Sequence, residues 1–237
     1  MNLKRDIFTK CALLKRNYIF WILCAFNFFA LAMFDNKTYF VVENYEQCIY
    51  RYNFQQVFII FTCIFMIHLM FNEDELIAIR DYKIIYTKSV QQEIKSYAYS
   101  GIIMLVVGFV SGQFLAFIIN FLLGGKVYIE LFLVNIVIVI AHISVAILLI
   151  MGLRMLFVKD IVVYGIYYVW IFVSLISGNV YVSMPLTIRI VGIEEQGYYV
   201  TFGKELWLGR VLLIILALFI YKIGVSRFEH KKIGRAS

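Results

Sequence analysis

The chain has 237 residues, 63% of them hydrophobic and 16% charged, with a single proline, a net charge of +7 and a mean hydropathy of +0.86. Soluble domains carry about 45–50% apolar and about 25% charged residues, so a soluble fold of this size would leave broad apolar patches in water. The composition excludes a soluble globular domain and the collagen-like, mucin-like and disordered classes, and it points to a bilayer.

A helix needs about 20 apolar residues to cross about 30 Å of hydrocarbon. Six runs between charge clusters approach or exceed that length, which predicts an all-α, polytopic membrane protein with one transmembrane domain over residues 1–237. Before the first run, Met1–Asn17 interleaves Leu3, Ile7, Cys11 and Leu14 with Lys4, Arg5, Lys10, Lys15 and Arg16. At 100° per residue those four apolar positions share a face, which predicts an interfacial helix; a solvated basic leader that only fixes topology is the alternative. Span one, Tyr18–Phe34, contains Ala30-Leu31-Ala32 and so has the outline of a cleavable secretory signal. Its run is longer and more aromatic than a signal's apolar region, with Trp21, Phe26, Phe28 and Phe29, and retention is expected.

A polar, tyrosine-rich external loop, Asp35–Asn53, leads to span two, Phe54–Phe71. The longest cytoplasmic connection, Asn72–Ala98, opens with Glu73-Asp74-Glu75 and continues span two into the cytoplasm. A second helix is expected from near Ser89, where Ser89-x-x-Gln92 fits a capping box that satisfies the free N–H groups of a first turn. Between them Ile84, Ile85 and Tyr86 form an apolar knob flanked by Lys83 and Lys88, suited to a partner's groove. A solvated hairpin whose apolar residues merely touch lipid is the alternative.

Span three, Tyr99–Leu123, places Gly101, Gly108 and Gly112 on one face and includes a Gly-x-x-x-Gly motif, which predicts close helix packing. Span four, Ile129–Leu153, holds His142, the one ionisable group near the centre of a span. It is read either as a neutral imidazole bonded to a neighbouring helix or as a pathway residue. Span five, Ile161–Gly178, mixes glycine with Tyr164, Tyr167, Tyr168 and Trp170; Tyr164 and Tyr168 join His142 as candidate pathway residues. Asn179–Glu205 is too short and too charged to span and reads as an external re-entrant or interfacial hairpin. Span six, Leu206–Val225, precedes a short basic tail.

Charge tests this division, because Lys and Arg stay on the cytoplasmic side during insertion. With the N-terminus inside, the cytoplasmic pieces hold sixteen of the 22 basic and eight of the 15 acidic residues, so the inside carries +8 and the outside −1. The basicity is therefore a record of orientation, with both termini cytoplasmic, and nucleic acid is not an expected partner. Cys11, Cys24, Cys48 and Cys63 lack metal-ligand spacing, and only Cys48 falls outside, so a disulfide framework is not expected and a Cys48–Cys48 link across a dimer is a minor alternative. The chain has no His-Glu-x-x-His, Gly-x-Ser-x-Gly or nucleotide-binding Gly-x-x-x-x-Gly-Lys-Ser/Thr pattern. It is expected to be no enzyme, to bind no cofactor itself, and to rely on another polypeptide for any use of ATP.

The order of parts resembles the membrane subunit of a bacterial type-2 ABC exporter: a basic N-terminal helix, two spans around a moderate external loop, a cytoplasmic helical hairpin, three closely spaced spans, an external hairpin and a sixth span. That resemblance covers essentially the whole chain. It implies that the 72–98 connection seats in a cleft of a separate ATPase subunit carrying ATP and magnesium, with Asp74, Glu75, Arg80, Tyr82, Ile84, Ile85 and Tyr86 at the contact. The Gly and Pro frequent at this turn in the family are absent here. It further implies two permease subunits, the same or different, with an amphipathic substrate such as an antimicrobial peptide passing between them along spans one, two and five. The location implied is the bacterial cytoplasmic membrane. A non-transporting immunity or scaffold protein of the membrane is the alternative function.

Overall fold

The computed structural model describes residues 3–32, 41–70, 90–157, 161–166, 168–169, 191–194, 197–200 and 204–230. Six helices and one two-stranded hairpin are assigned: α1 (Leu3–Arg16), α2 (Tyr18–Ala32), α3 (Tyr45–Met70), α4 (Val90–Leu122), α5 (Ile129–Leu156), β1 (Val191–Glu194), β2 (Gly197–Val200) and α6 (Lys204–His230). Residues 161–166 and 168–169 are helical as well. Among the described residues, three segments are long and apolar enough to cross a membrane: Gln91–Leu122, Ile129–Leu156 and Val211–Phe228; Tyr18–Phe29 is a shorter apolar helix.

The described surface is unlike that of a soluble protein. Large apolar side chains such as Trp21, Phe26, Val107, Phe121, Val137 and Phe219 face outward, whereas Asn27, Thr62, Gln113, Asn120, Asn135 and His142 are buried. A bilayer rewards this arrangement, since lipid tails accept apolar surface and cannot hydrogen-bond a polar group.

α5 occupies the middle. Apolar on all sides, it has no face to prefer, and it packs against α3, α4 and α6. Its last three turns are surrounded, with nearly every residue from Val145 to Met155 buried. α6 covers it with a stripe at helical spacing, Leu213, Ala217, Tyr221, Gly224 and Phe228, and leaves Leu212, Ile215, Leu216 and Phe219 exposed. Backbones meet where α5 and α6 touch: a Cβ on Gly152 would lie 2.8 Å from the Tyr221 Cα, and one on Gly224 would strike the Gly152 carbonyl. These contacts near both C-terminal ends, together with the extended packing, set α5 and α6 side by side in the same direction.

The directions of the other helices follow from which ends meet. Gly101, early in α4, lies against Met70 at the end of α3 and Ile147 late in α5. At the opposite end, Val42, Cys48 and Tyr52 cluster with Leu131, Phe132, Phe117 and Tyr128. α4 is thus antiparallel to α3 and α5. α2 lies along α4 in parallel, with Phe20 and Cys24 at Gly108, and Asn27 and Phe28 one turn further at Gly112. The glycine stripe of span three therefore serves two neighbours: Gly108 and Gly112 admit α2, and Gly101 admits α3 and α5.

Two expectations need correction and a third is extended. The helix expected from near Ser89 and span three form one element: α4 runs unbroken from Val90 for 33 residues, about 50 Å, some 20 Å more than the hydrocarbon thickness. α3 begins at Tyr45, nine residues before the expected start of span two. Finally, all-α holds except for an antiparallel pairing of Val191 with Val200 through Glu194 with Gly197, where β-branched and aromatic residues favour strand. Replacing Gly152 by Leu should push α5 and α6 apart and lower the detergent-solubilised protein's thermal midpoint, at a cost of about 3 kcal/mol or more. Gly165→Ala, where a Cβ would meet nothing within 4 Å, should leave the midpoint unchanged or slightly raised.

Candidate functional site

The residues expected at an ATPase contact, Asp74, Glu75, Arg80, Tyr82, Ile84, Ile85 and Tyr86, lie outside the described residues, as do Ser89 of the expected capping box and the far end of span five. The helices that flank the segment, α3 and α4, are described, and one end of the bundle is built around them.

α1 is fastened to the first turns of α4. Leu3, Asp6, Ile7, Lys10, Cys11 and Leu14 are buried or half-buried along one face, the four apolar ones being those the spacing placed together. That face meets α4 rather than lipid. The Lys10 ammonium pairs with the Glu93 carboxylate and sits 4.0 Å from the centre of the Tyr97 ring, and the Cys11 thiol is 3.9 Å from the Ser100 carbonyl oxygen to which it donates. Burial pushes the Cys11 thiol up from its ordinary value, so it stays protonated at neutral pH. At the junction to α2, the Asn17 N–H donates to the Leu14 carbonyl at 2.9 Å, while its side-chain oxygen accepts from the Ile19 N–H at 2.9 Å. One asparagine thus closes α1 and caps α2.

Further along, the largest fully buried side chain among the described residues is Arg154, in the last turn of α5. Its guanidinium lies 6.0 Å from the centre of the Tyr164 ring, and that ring lies 6.0 Å from His68, edge to face at 70°. α3, α5 and the helical 161–166 segment so bring an imidazole, a phenol and a guanidinium together, with His68 exposed at the rim and Arg154 deepest. Tyr168, one turn beyond Tyr164, is exposed. His142 is elsewhere: buried on α5 twelve residues before Arg154, it is separated from that level by about 18 Å of helix. The three candidate pathway residues therefore divide between two depths. Arg154 was missed by a reading that counted it with the cytoplasmic charges, yet its local sequence, Gly152-Leu153-Arg154-Met155-Leu156, was a signal: a lone cation with apolar neighbours in a helical turn.

The end of the bundle opposite α1 is closed by Asn120. Its side-chain oxygen accepts from the Val42 N–H at 2.6 Å and its amide donates to the Lys126 carbonyl at 2.9 Å, while the Lys126 N–H donates to the Val42 carbonyl at 2.7 Å. Gly124, at φ +78°, makes the turn between α4 and α5, and a side chain on Gly125 would collide with Asn120. Beside this knot is a pocket of about 40 Å³ lined by Cys48, Tyr52, Gln113, Phe117, Asn120 and Lys126 among others, with room for about two or three water molecules. Cys48 is buried in it, so a Cys48–Cys48 link between two copies would require this end to open. At its edge, Tyr45 packs edge to face on Tyr128 and its hydroxyl is pushed above its ordinary value, chiefly by burial and then by Cys48 and Glu130.

No family model matches the chain, and neither a curated protein nor a solved structure matches it.

Replacing Asn120 by Leu leaves the Val42 N–H and the Lys126 carbonyl without this partner and should cost about 2–4 kcal/mol, read as a lower thermal midpoint and faster hydrogen exchange at Val42. At the inner end, Lys10→Glu and Glu93→Lys should each destabilise the protein, and the combined exchange should recover roughly 1–2 kcal/mol of coupling in a double-mutant cycle.

Proposed function

We propose that this chain is the membrane subunit of a transporter driven by a separate ATPase, resembling the permeases of type-2 ABC exporters, and that it moves an amphipathic substrate out across a bacterial cytoplasmic membrane. The observation that carries this reading is the continuity of α4. A rigid helix of about 50 Å reaches from the end of the cytoplasmic segment to the far side of the bundle, so a push on that segment is delivered to the membrane core without a joint to absorb it. α1, clamped to the same turns by Lys10 and Glu93, widens the lever.

Two features support the six-span topology. α5 and α6 run in the same direction, so the chain between Leu156 and Lys204 returns from one end of the bundle to the other, which is where the fifth span was expected. The excess of basic residues on one side of the expected topology supports a cytoplasmic location for both termini. Substrate would pass between two permease subunits, identical or not. Among the described residues the buried apolar side chains from Leu14 to Phe228 pack against one another, and the pocket beside Asn120 admits little more than water. Exposed apolar faces on α2, on α3 at Phe65 and at Ile161, Val162, Ile166 and Val169 are available to line such a seam.

The packed interior equally suits a non-transporting immunity or scaffold protein that holds a peptide or anchors a partner. Reconstitution separates the two: with the co-purified ATPase in vesicles, the transporter gives ATP-dependent efflux of an amphipathic peptide, and the scaffold gives binding without flux. Changing Ile84, Ile85 and Tyr86 to Asp should release the ATPase while the protein still inserts; retention of the ATPase would overturn the coupling assignment.

A further inference from the structure

The outward side of α1 is left over from the packing just described, and its charge is one-sided. The only acid of the helix, Asp6, is turned inward and buried, whereas Arg5, Lys15 and Arg16 are exposed, as is Lys4 beside them. On a helical wheel Arg5, Ala12 and Arg16 centre this side, with Lys4, Phe8 and Lys15 on one flank. Phe8 is 77% exposed, an unusual position for an aromatic side chain with no water-free surface against it.

On the membrane reading of the chain, the C-terminal end of this face lies at the membrane boundary. α2, the apolar helix, begins at Tyr18, only two residues past Arg16, which sets Lys15 and Arg16 within about 5 Å of its first turn. Tyr18 and Trp21 are 72% and 53% exposed, and the Trp21 indole donates back to the Lys15 carbonyl at 2.8 Å. An exposed indole tied to the backbone of a basic pair is the arrangement expected at headgroup depth, where aromatic rings and phosphates occupy one layer. Basic residues clustered directly beside a crossing helix attract an acidic membrane surface.

We propose that the outward face of α1, through Arg5, Lys15 and Arg16 with Phe8, Tyr18 and Trp21 as anchors, binds the headgroups of anionic phospholipids in the adjoining leaflet. The inference rests on the membrane reading of the chain and is independent of transport. Bound lipid would hold α1 and, through the Lys10–Glu93 pair, the first turns of α4 at a fixed depth.

The test uses the full chain in detergent, where topology is no longer selected by charge. Native mass spectrometry counts phosphatidylglycerol and phosphatidylcholine retained in competition at low ionic strength. Phosphatidylglycerol should be preferred by roughly tenfold or more, and the preference should fall sharply in about 0.5 M salt. The variant Arg5→Gln/Lys15→Gln/Arg16→Gln should lose most of it while keeping its helix content by circular dichroism. A control, Lys126→Gln/Lys222→Gln/Arg227→Gln, removes the same charge elsewhere and should keep it. Equal affinity for both lipids, a preference that survives in the α1 variant, or an equal loss in the control would each overturn the assignment. Should the glutamine variant fail to fold, Arg5→Lys/Arg16→Lys keeps the charge and should keep the preference; its loss in that folded variant would also overturn it.

Discussion

A helix with apolar side chains all round has no side to offer water and none to prefer toward lipid, and its most favourable place is among other helices. α5 takes that place, and the positions of α3, α4 and α6 follow from it. Dispersion, rather than the hydrophobic effect, has to hold helices together where the surrounding lipid is as apolar as they are, so close approach matters more than apolar area. Gly152 supplies that approach. With no side chain there, the backbones of α5 and α6 come into contact near their C-terminal ends, and Gly101, Gly108 and Gly112 repeat the device for α4. Any side chain at Gly152 would have to displace backbone atoms of α6 rather than a flexible side chain.

The ends of the bundle are secured by different chemistry. Backbone groups leaving a helix must find partners, and both junctions use an asparagine to provide them. Asn17 turns α1 into α2, and Asn120 ties the segment before α3 to the α4–α5 turn. At the inner end, charges become affordable only when neutralised or turned to solvent, which is why Lys10 meets Glu93 and the remaining basic residues of α1 point outward. Arg154 is the exception in depth, lodged beneath Tyr164 at the level where α3, α5 and the 161–166 helix converge. A guanidinium tolerates such a site better than an ammonium because it is more weakly hydrated and stacks on an aromatic face.

These features bear on function through stiffness. α4 has no joint between Val90 and Leu122, and α1 is clamped beside its first turns. A partner acting on the segment between α3 and α4 would move a braced lever whose other end carries the Asn120 knot. The two ends of the bundle are thus connected by one element, the feature on which the proposed function rests.

The sequence by itself determined the solvent and the approximate elements. Its apolar runs placed α2, α5, α6 and the end of α4 close to their observed limits, because a helix that must satisfy its own backbone in lipid can be read from composition alone. It also placed Leu3, Ile7, Cys11 and Leu14 on one face of α1, since helical spacing is a local property. Only the tertiary structure decided what that face meets, α4 instead of lipid, because amphipathicity specifies a boundary and not the identity of the phase beyond it. The same holds for the polar first turns of α4, legible as helix but not as the surface that α1 covers, and for Arg154, whose burial depends on the elements packed around α5. Strand pairing at 191–200 likewise came from a partner a few residues away rather than from any periodicity. Where side chains answer to the medium, the sequence suffices; where they answer to one another across the bundle, contact in three dimensions decides.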